Sequence, residues 1–297
     1  MGRLGARRAM VVVAALGVCL APGLARALPN DLQIYQLGSA SVANAEARFR
    51  MLGDELGMSL TSTTLEPANT VGIDGFDLAF ETAIVFINAS QQIAGQSYWV
   101  TTNNPPTALV IPAIHFRKGL PYSFEFEGRL STVGDSSMFA GQAGLKWGVL
   151  EGFRYAPDIA VRFVMTRLFG SNDFDSTSGA LDFTIGKEIG VAGMFTLSPY
   201  IGYAATGIDS SPRVIWGNPN TTESAYQAQP IASQELFNEA TWNNNIYDRF
   251  YAGLQLTAYI VSFNVEYDYS RPSAFSSTPF PVTPGLSTLG MRIALTL

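Results

Sequence analysis

Gly285-Leu286-Ser287-Thr288-Leu289-Gly290-Met291-Arg292-Ile293-Ala294-Leu295-Thr296-Leu297 closes the chain, and its reading decides the fold. From Leu289 onward the residues alternate strictly. Leu289, Met291, Ile293, Leu295 and Leu297 fall on one face of a strand, and Gly290, Arg292, Ala294 and Thr296 fall on the other. Side chains of a strand point to opposite faces in turn, so one whole face here is apolar to the last residue. Such a face needs an apolar medium.

The same period recurs nine more times, at 76–87, 107–117, 121–132, 138–149, 158–169, 178–188, 195–206, 247–258 and 261–270. In the first of these Phe76, Leu78, Phe80, Ile84 and Phe86 oppose Asp77, Ala79, Glu81 and Ala83. Each run is long enough to cross a bilayer, for which a strand tilted by about 45° needs about 9–11 residues. Short connections such as Lys118–Pro121 and Tyr259–Ile260 take turns with longer ones such as Asn88–Pro106 and Gly207–Ile246. Aromatics are expected to collect where strands leave the lipid. Tyr122, Phe124, Trp147, Phe195 and Tyr259 fall at the end with short turns. Phe139, Phe169, Tyr203, Tyr247, Phe250, Tyr267 and Tyr269 fall at the other.

At the other terminus Arg3, Arg7 and Arg8 precede the apolar stretch Ala9–Leu20, and Ala25-Arg26-Ala27 is a small-x-small cleavage sequence. The pattern predicts an export signal over 1–27, removed near Ala27. It takes with it the one cysteine, Cys19, and four of the 18 basic residues, leaving 14 against 24 acidic ones. No disulfide or thiolate ligand is then available. An acidic chain also lacks the basic face that phosphate binding requires, so nucleic acid is not an expected partner. Charged residues make up 14% of the sequence, against about 25% in ordinary soluble proteins.

On these features the chain resembles a small Gram-negative outer-membrane β-barrel protein. The resemblance spans nearly all of the sequence after the export signal, but alternation identifies an architecture rather than a specific family. It implies an all-β fold, a closed antiparallel transmembrane barrel of about ten strands over 76–297, inserted in the outer membrane. Implied partners are the membrane lipids, lipopolysaccharide, and the barrel-assembly machinery that reads the last strand. Residues 28–75 do not read as wall. Phe49, Leu52 and Leu56 lie at helical spacing beside Glu46, Arg48, Arg50, Asp54 and Glu55, with Gly57 as a stop. They are expected to form a partly helical periplasmic or plug segment. The alternative makes strands of 45–52 and 57–65 and a twelve-stranded wall.

The register predicts a lumen lined by Asp77, Glu81, Glu125, Glu127, Arg129, Lys146, Arg162, Asp182, Glu188, Glu266, Asp268 and Arg292, together with Gln142, Gln255 and Asn264. Charges in so confined a space must be compensated. Acids exceed bases in this set, which makes Arg48 and Arg50 of the plug the expected partners of Glu81, Glu125 and Glu127. The only histidine, His115, falls near a short turn and is expected to be structural; with no metal-ligand spacing and no cofactor motif, no enzyme activity is expected. The leading expectation for function is passage of a small or amphiphilic solute, gated by the loop 207–246. The alternatives are a non-conducting surface, adhesion or envelope-structural barrel and, behind it, an outer-membrane hydrolase.

Overall fold

The computed structural model describes residues 28–37, 42–61, 63–171, 174–191, 193–212, 241–242, 245–274 and 284–297. The expected export signal and most of the loop 207–246 lie outside these. Ten long strands form the wall: β1 (Phe76–Phe86), β2 (Ala108–Leu120), β3 (Phe124–Thr132), β4 (Phe139–Leu150), β5 (Asp158–Phe169), β6 (Phe174–Gly186), β7 (Phe195–Pro212), β8 (Ile246–Ala258), β9 (Val261–Pro272) and β10 (Leu286–Thr296). Each pairs antiparallel with its sequence neighbour, and β10 pairs back onto β1, from Asp77 opposite Thr296 to Phe86 opposite Ser287. Backbone bonds between Phe76 and Leu297, 2.7 and 2.8 Å, finish the seam. The barrel is closed, so no strand edge is left unpaired.

Its outer face is apolar. Leu78, Phe80, Ile114, Leu130, Leu145, Phe163, Leu181, Ile201, Leu254 and Ile293 all point outward and are exposed. In water this belt would be a severe aggregation liability, and in lipid it is the solvated surface. The expected aromatic girdles are exposed at both ends, with Phe124 half-buried and one exception. Tyr247 turns inward, fully buried, and its hydroxyl meets Asp54 at 2.5 Å. It occupies the inward phase with Arg249 and Tyr251, whose alternation with Phe250 was legible.

The interior has two halves. At the end with long loops, Ala83, Val85, Leu109, Ile111, Ala140, Leu168, Phe174, Ile208 and Leu286 form an apolar collar. At the end with short turns the wall is charged. A 19-residue helix, α1 (Val42–Leu60), stands in the collar with Phe49, Met51, Leu52 and Leu56 buried against it. The described residues of 28–75 hold no wall strand, and closure by ten strands excludes the twelve-stranded alternative. Gly57 does not stop the helix, which runs three residues further. Its role is close approach, since a β-carbon there would lie 2.6 Å from Ile208 Cγ2. The helix end is satisfied by Thr61, whose backbone N–H and hydroxyl both donate to the Gly57 carbonyl.

The segment on either side of α1 threads the whole bore. Residues 28–37 are tied to the loop end, through Asn30 to the Asp135 and Gly134 carbonyls and Gln33 to the Val100 carbonyl. After α1, a strap without regular secondary structure, residues 63–71, descends through the charged half. It leaves at the turn end, where Lys118 donates to the Asp74 carbonyl and Gly119 to the Gly75 carbonyl, and β1 begins there.

Candidate functional site

Leu65 and Glu66 are the pivot of the strap. Leu65 adopts a left-handed backbone, φ 50, unusual for a branched side chain and costing about 1–2 kcal/mol. The bend sends adjacent residues to opposite walls. Leu65 packs over Gly290, where a β-carbon would lie 2.8 Å from its Cδ2. Its N–H donates to Glu266 Oε2 and its carbonyl accepts from Asn264 Nδ2, both at 2.8 Å. Glu66, fully buried, crosses to the other side and meets Arg117 in direct contact, Lys146 Nζ at 3.3 Å and Arg162 Nη1 at 3.6 Å. Burial disfavours a lone charge, and the three cations converging on Glu66 are what compensate it there.

The wall residues join this hub into one network. Arg117 also pairs with Asp77 and Glu125, both at 3.2 Å. Arg162 bridges Asp182 at 3.0 Å and Glu127 at 3.2 Å, and Arg249 reaches Asp182 at 2.7 Å and Asp268 at 3.8 Å. Arg129 meets Glu81 at 3.0 Å; Arg292 meets Glu81 at 3.1 Å and Asp77 in direct contact. His115 Nδ1 lies 2.8 Å from Glu81 Oε1, with Nε2 3.8 Å from Glu127. The carboxylates of Glu66, Glu125 and Glu127 come within 4.8 Å of one another. Arg117, Lys146 and Arg162 are the cations that answer them.

Eleven of the twelve expected wall positions lie buried inside. Glu188 does not: it is exposed just past the end of β6, where its carboxylate accepts from Asn69 Nδ2 at 2.8 Å. Strand β6 starts four residues earlier and ends two residues earlier than its alternation suggests. Four members of the network were not anticipated: Glu66, His115, Arg117 and Arg249. Two of these were within reach of the sequence, because β2 continues to Leu120 and places His115 and Arg117 on the inward phase opposite Ile114 and Phe116. Within the network, counting Arg117 and Arg249 and omitting Glu188, seven wall acids face six wall cations and His115, so the acidic excess there nearly vanishes.

That balance explains why the expected plug pairs do not form. Arg50 pairs with Glu46 one turn away at 2.6 Å. Arg48 stays at the loop end, donating to the carbonyls of Ser97 and Leu37 and to Gln96 Oε1. The charge carried to the wall is negative, on Glu66, which gives Lys146 its one carboxylate among the described residues and adds a further partner to Arg117 and Arg162. The acids of the helix are held at the loop end. Glu55 accepts from Tyr98 Oη at 2.8 Å, Trp99 Nε1 at 2.5 Å and Asn88 Nδ2 at 2.5 Å, while Asp54 accepts from Asn245 and Tyr247. Burial pushes the Asp54 carboxyl up to about 6, against those two hydrogen bonds, and raises Glu55 as well.

No protein-family model matches the chain, and no curated protein matches it. Solved structures do. LpxR from Salmonella typhimurium is 8% identical with a TM-score of 0.37, the match covering 74% of this chain and 99% of that one. Ail, the attachment invasion locus protein of Yersinia pestis, is 10% identical at a TM-score of 0.29, over 76% and 99%. The KdgM porin is 5% identical at 0.31, over 74% and 98%. These likenesses are too distant to carry activity across; the closed barrel rests on its own strand pairing.

Proposed function

We propose that the protein is an integral outer-membrane barrel shut by its own N-terminal segment, a non-conducting body that anchors a loop platform at the cell surface. The observation that carries this reading is the three-way grip on Glu66 across the bore, reinforced by α1 filling the apolar collar. The exposed apolar belt, both aromatic girdles and the asymmetry of turns and loops support the membrane reading, in which the long loops and residues 28–37 face outward. Lipids and lipopolysaccharide are then its natural surroundings. No catalytic role is assigned to His115, which is enclosed between Glu81 and Glu127 and has no serine within hydrogen-bond reach among the described residues.

Passage of a small solute is the second reading, and one feature favours it. On the β7–β9 side, Ser198, Ser262 and Asp268 each keep a buried polar atom without a hydrogen-bond partner among the described residues, a wall chemistry suited to water. Passage would require the strap and helix to move. A disulfide tests this cleanly in a chain whose exported part has no other cysteine. A β-carbon on Gly53 would lie 3.2 Å from Ser210 Cβ, near the roughly 3.5–4.5 Å of a disulfide. We expect Gly53→Cys/Ser210→Cys to give the same negligible single-channel conductance in planar bilayers whether oxidised or reduced. Steady conductance that oxidation abolishes would overturn the closed reading in favour of the gated one.

A further inference from the structure

A cavity of about 750 Å³ opens at the loop end beside the N-terminus of the described chain, between residues 96–105 and α1. Its size is that of a small-molecule site, but its lining is polar. Gln36, Gln96, Ser97, Thr102, Asn103 and Asn104 supply amides and hydroxyls around its rim, and no carboxylate lines it. The floor is Arg48, 4% exposed, which forms no ion pair among the described residues. All five of its N–H groups donate to neutral oxygens: the Ser97 carbonyl at 2.6 and 2.9 Å, the Leu37 carbonyl at 3.0 Å, the Gln36 carbonyl at 3.4 Å and Gln96 Oε1 at 2.9 Å, so its charge and not a free donor is what it offers a ligand. In a chain with net charge −6, this is a buried positive charge without a counter-charge.

Buried charges are ordinarily paired, and every buried cation of the bore obeys that rule. Arg48 is the exception, and it sits where a ligand can reach the lining. Fixing Gln96 by its oxygen also orients that side chain. The amide N–H groups of Gln96 have no partner among the described residues and remain to donate. The amides of Asn103 and Asn104, both exposed, offer donors and acceptors beside it.

From this geometry we propose that the loop-end cavity binds an acidic sugar, its carboxylate or phosphate attracted by the Arg48 charge and taken by Gln96, its hydroxyls by the surrounding amides and hydroxyls. An apolar ligand would strand those polar groups, and a second cation would meet a like charge. The inference goes beyond the closed-barrel reading and does not depend on whether the bore conducts. Two sources share this chemistry, a soluble saccharide and the headgroup of lipopolysaccharide at the rim.

The test uses the full protein in nanodiscs, titrated calorimetrically with glucuronate and with glucose. In discs free of lipopolysaccharide, glucuronate should bind saturably and at least about tenfold more tightly than glucose, since a hydrogen bond to a charged group contributes about 1.5–3 kcal/mol and tenfold is about 1.4 kcal/mol. Gln96→Ala, at an exposed position, and Arg48→Gln should each weaken it by about tenfold. Loss of glucuronate binding when lipopolysaccharide is added to the discs identifies the headgroup as occupant; unchanged binding identifies a soluble sugar. Equal affinity for glucose and glucuronate, no effect of Gln96→Ala, or no glucuronate binding in lipopolysaccharide-free discs would overturn the proposal.

Discussion

Glu66→Gln removes the one acid through which the strap grips the far wall. The magnitude follows from what each cation has left. Arg117 keeps Asp77 and Glu125, and Arg162 keeps Asp182 and Glu127. Lys146 loses its only carboxylate among the described residues and retains the Pro67 and Asn69 carbonyls, at 2.8 and 3.0 Å. Breaking a buried pair from one side costs about 3–5 kcal/mol, and with two of three cations still answered the lower end, about 3 kcal/mol, is expected. Replacing the stranded ammonium as well, Glu66→Gln/Lys146→Met, should recover about 1–3 kcal/mol of that, the usual coupling within one network. The assay is strap release, read by maleimide labelling of Ser59→Cys, a near-isosteric thiol buried on α1. If labelling follows opening, about 3 kcal/mol speeds it by about a hundredfold. Labelling as slow as in the parent, with no change in the double variant, would refute the grip and leave apolar packing of α1 as the sole anchor.

Met291→Arg, outward at the middle of β10, should cost about 2–4 kcal/mol in refolding into bilayers, whereas Leu256→Arg, three residues from a turn, should cost about 0–1 kcal/mol. Equal losses would mean that the lipid belt is misplaced. Asp54 has a folded pKa of about 6, raised from 3.8, so its contribution to α1 docking is fully present below 3.8 and is lost as pH rises through about 6. Ser59→Cys labelling, divided at each pH by the rate of a free thiol, should therefore slow on acidification across that window, and Asp54→Asn should flatten this normalised response; an equal or steeper response in the variant would contradict the assignment. Gly253→Ala places a β-carbon against the Tyr200 ring and should lower the unfolding midpoint by the equivalent of about 1–3 kcal/mol. Thermal loss of the folded band in electrophoresis reads it, and an unchanged midpoint would show that the ring has room to move.

The wall was legible because lipid enforces the period of two on every strand at once, and a slip of one residue would put charge in hydrocarbon. What alternation could not convey was the content of the bore. Where the lumen is apolar, at Ile84-Val85-Phe86 and Leu109-Val110-Ile111, both faces of a strand read alike, and the collar that receives α1 is silent in the pattern. The helix was anticipated from Phe49, Leu52 and Leu56, but not its depth, because a helix with Asp54, Glu55 and Arg48 suggests a wet face. Those groups are instead satisfied by Tyr247, Trp99 and loop carbonyls more than 40 residues away in sequence. Glu66 carries no local signal. It is one acid in an extended stretch, and only its three distant cations give it a role.

The threading of residues 28–75 also constrains the order in which the molecule can be made. Strands β1 and β10 come together across 219 residues of sequence, as in the bond from Thr296 to Asp77, and contacts so remote form slowly because a long chain must first be confined. A finished ring would have to pass α1, with its loop-end attachments, through a bore that fits it tightly. The seam between β1 and β10 is therefore expected to close last, the curled sheet wrapping a segment already laid in its concave face. Glu66, touching β2, β4 and β5, would then gather three staves on one carboxylate before it locks the finished barrel.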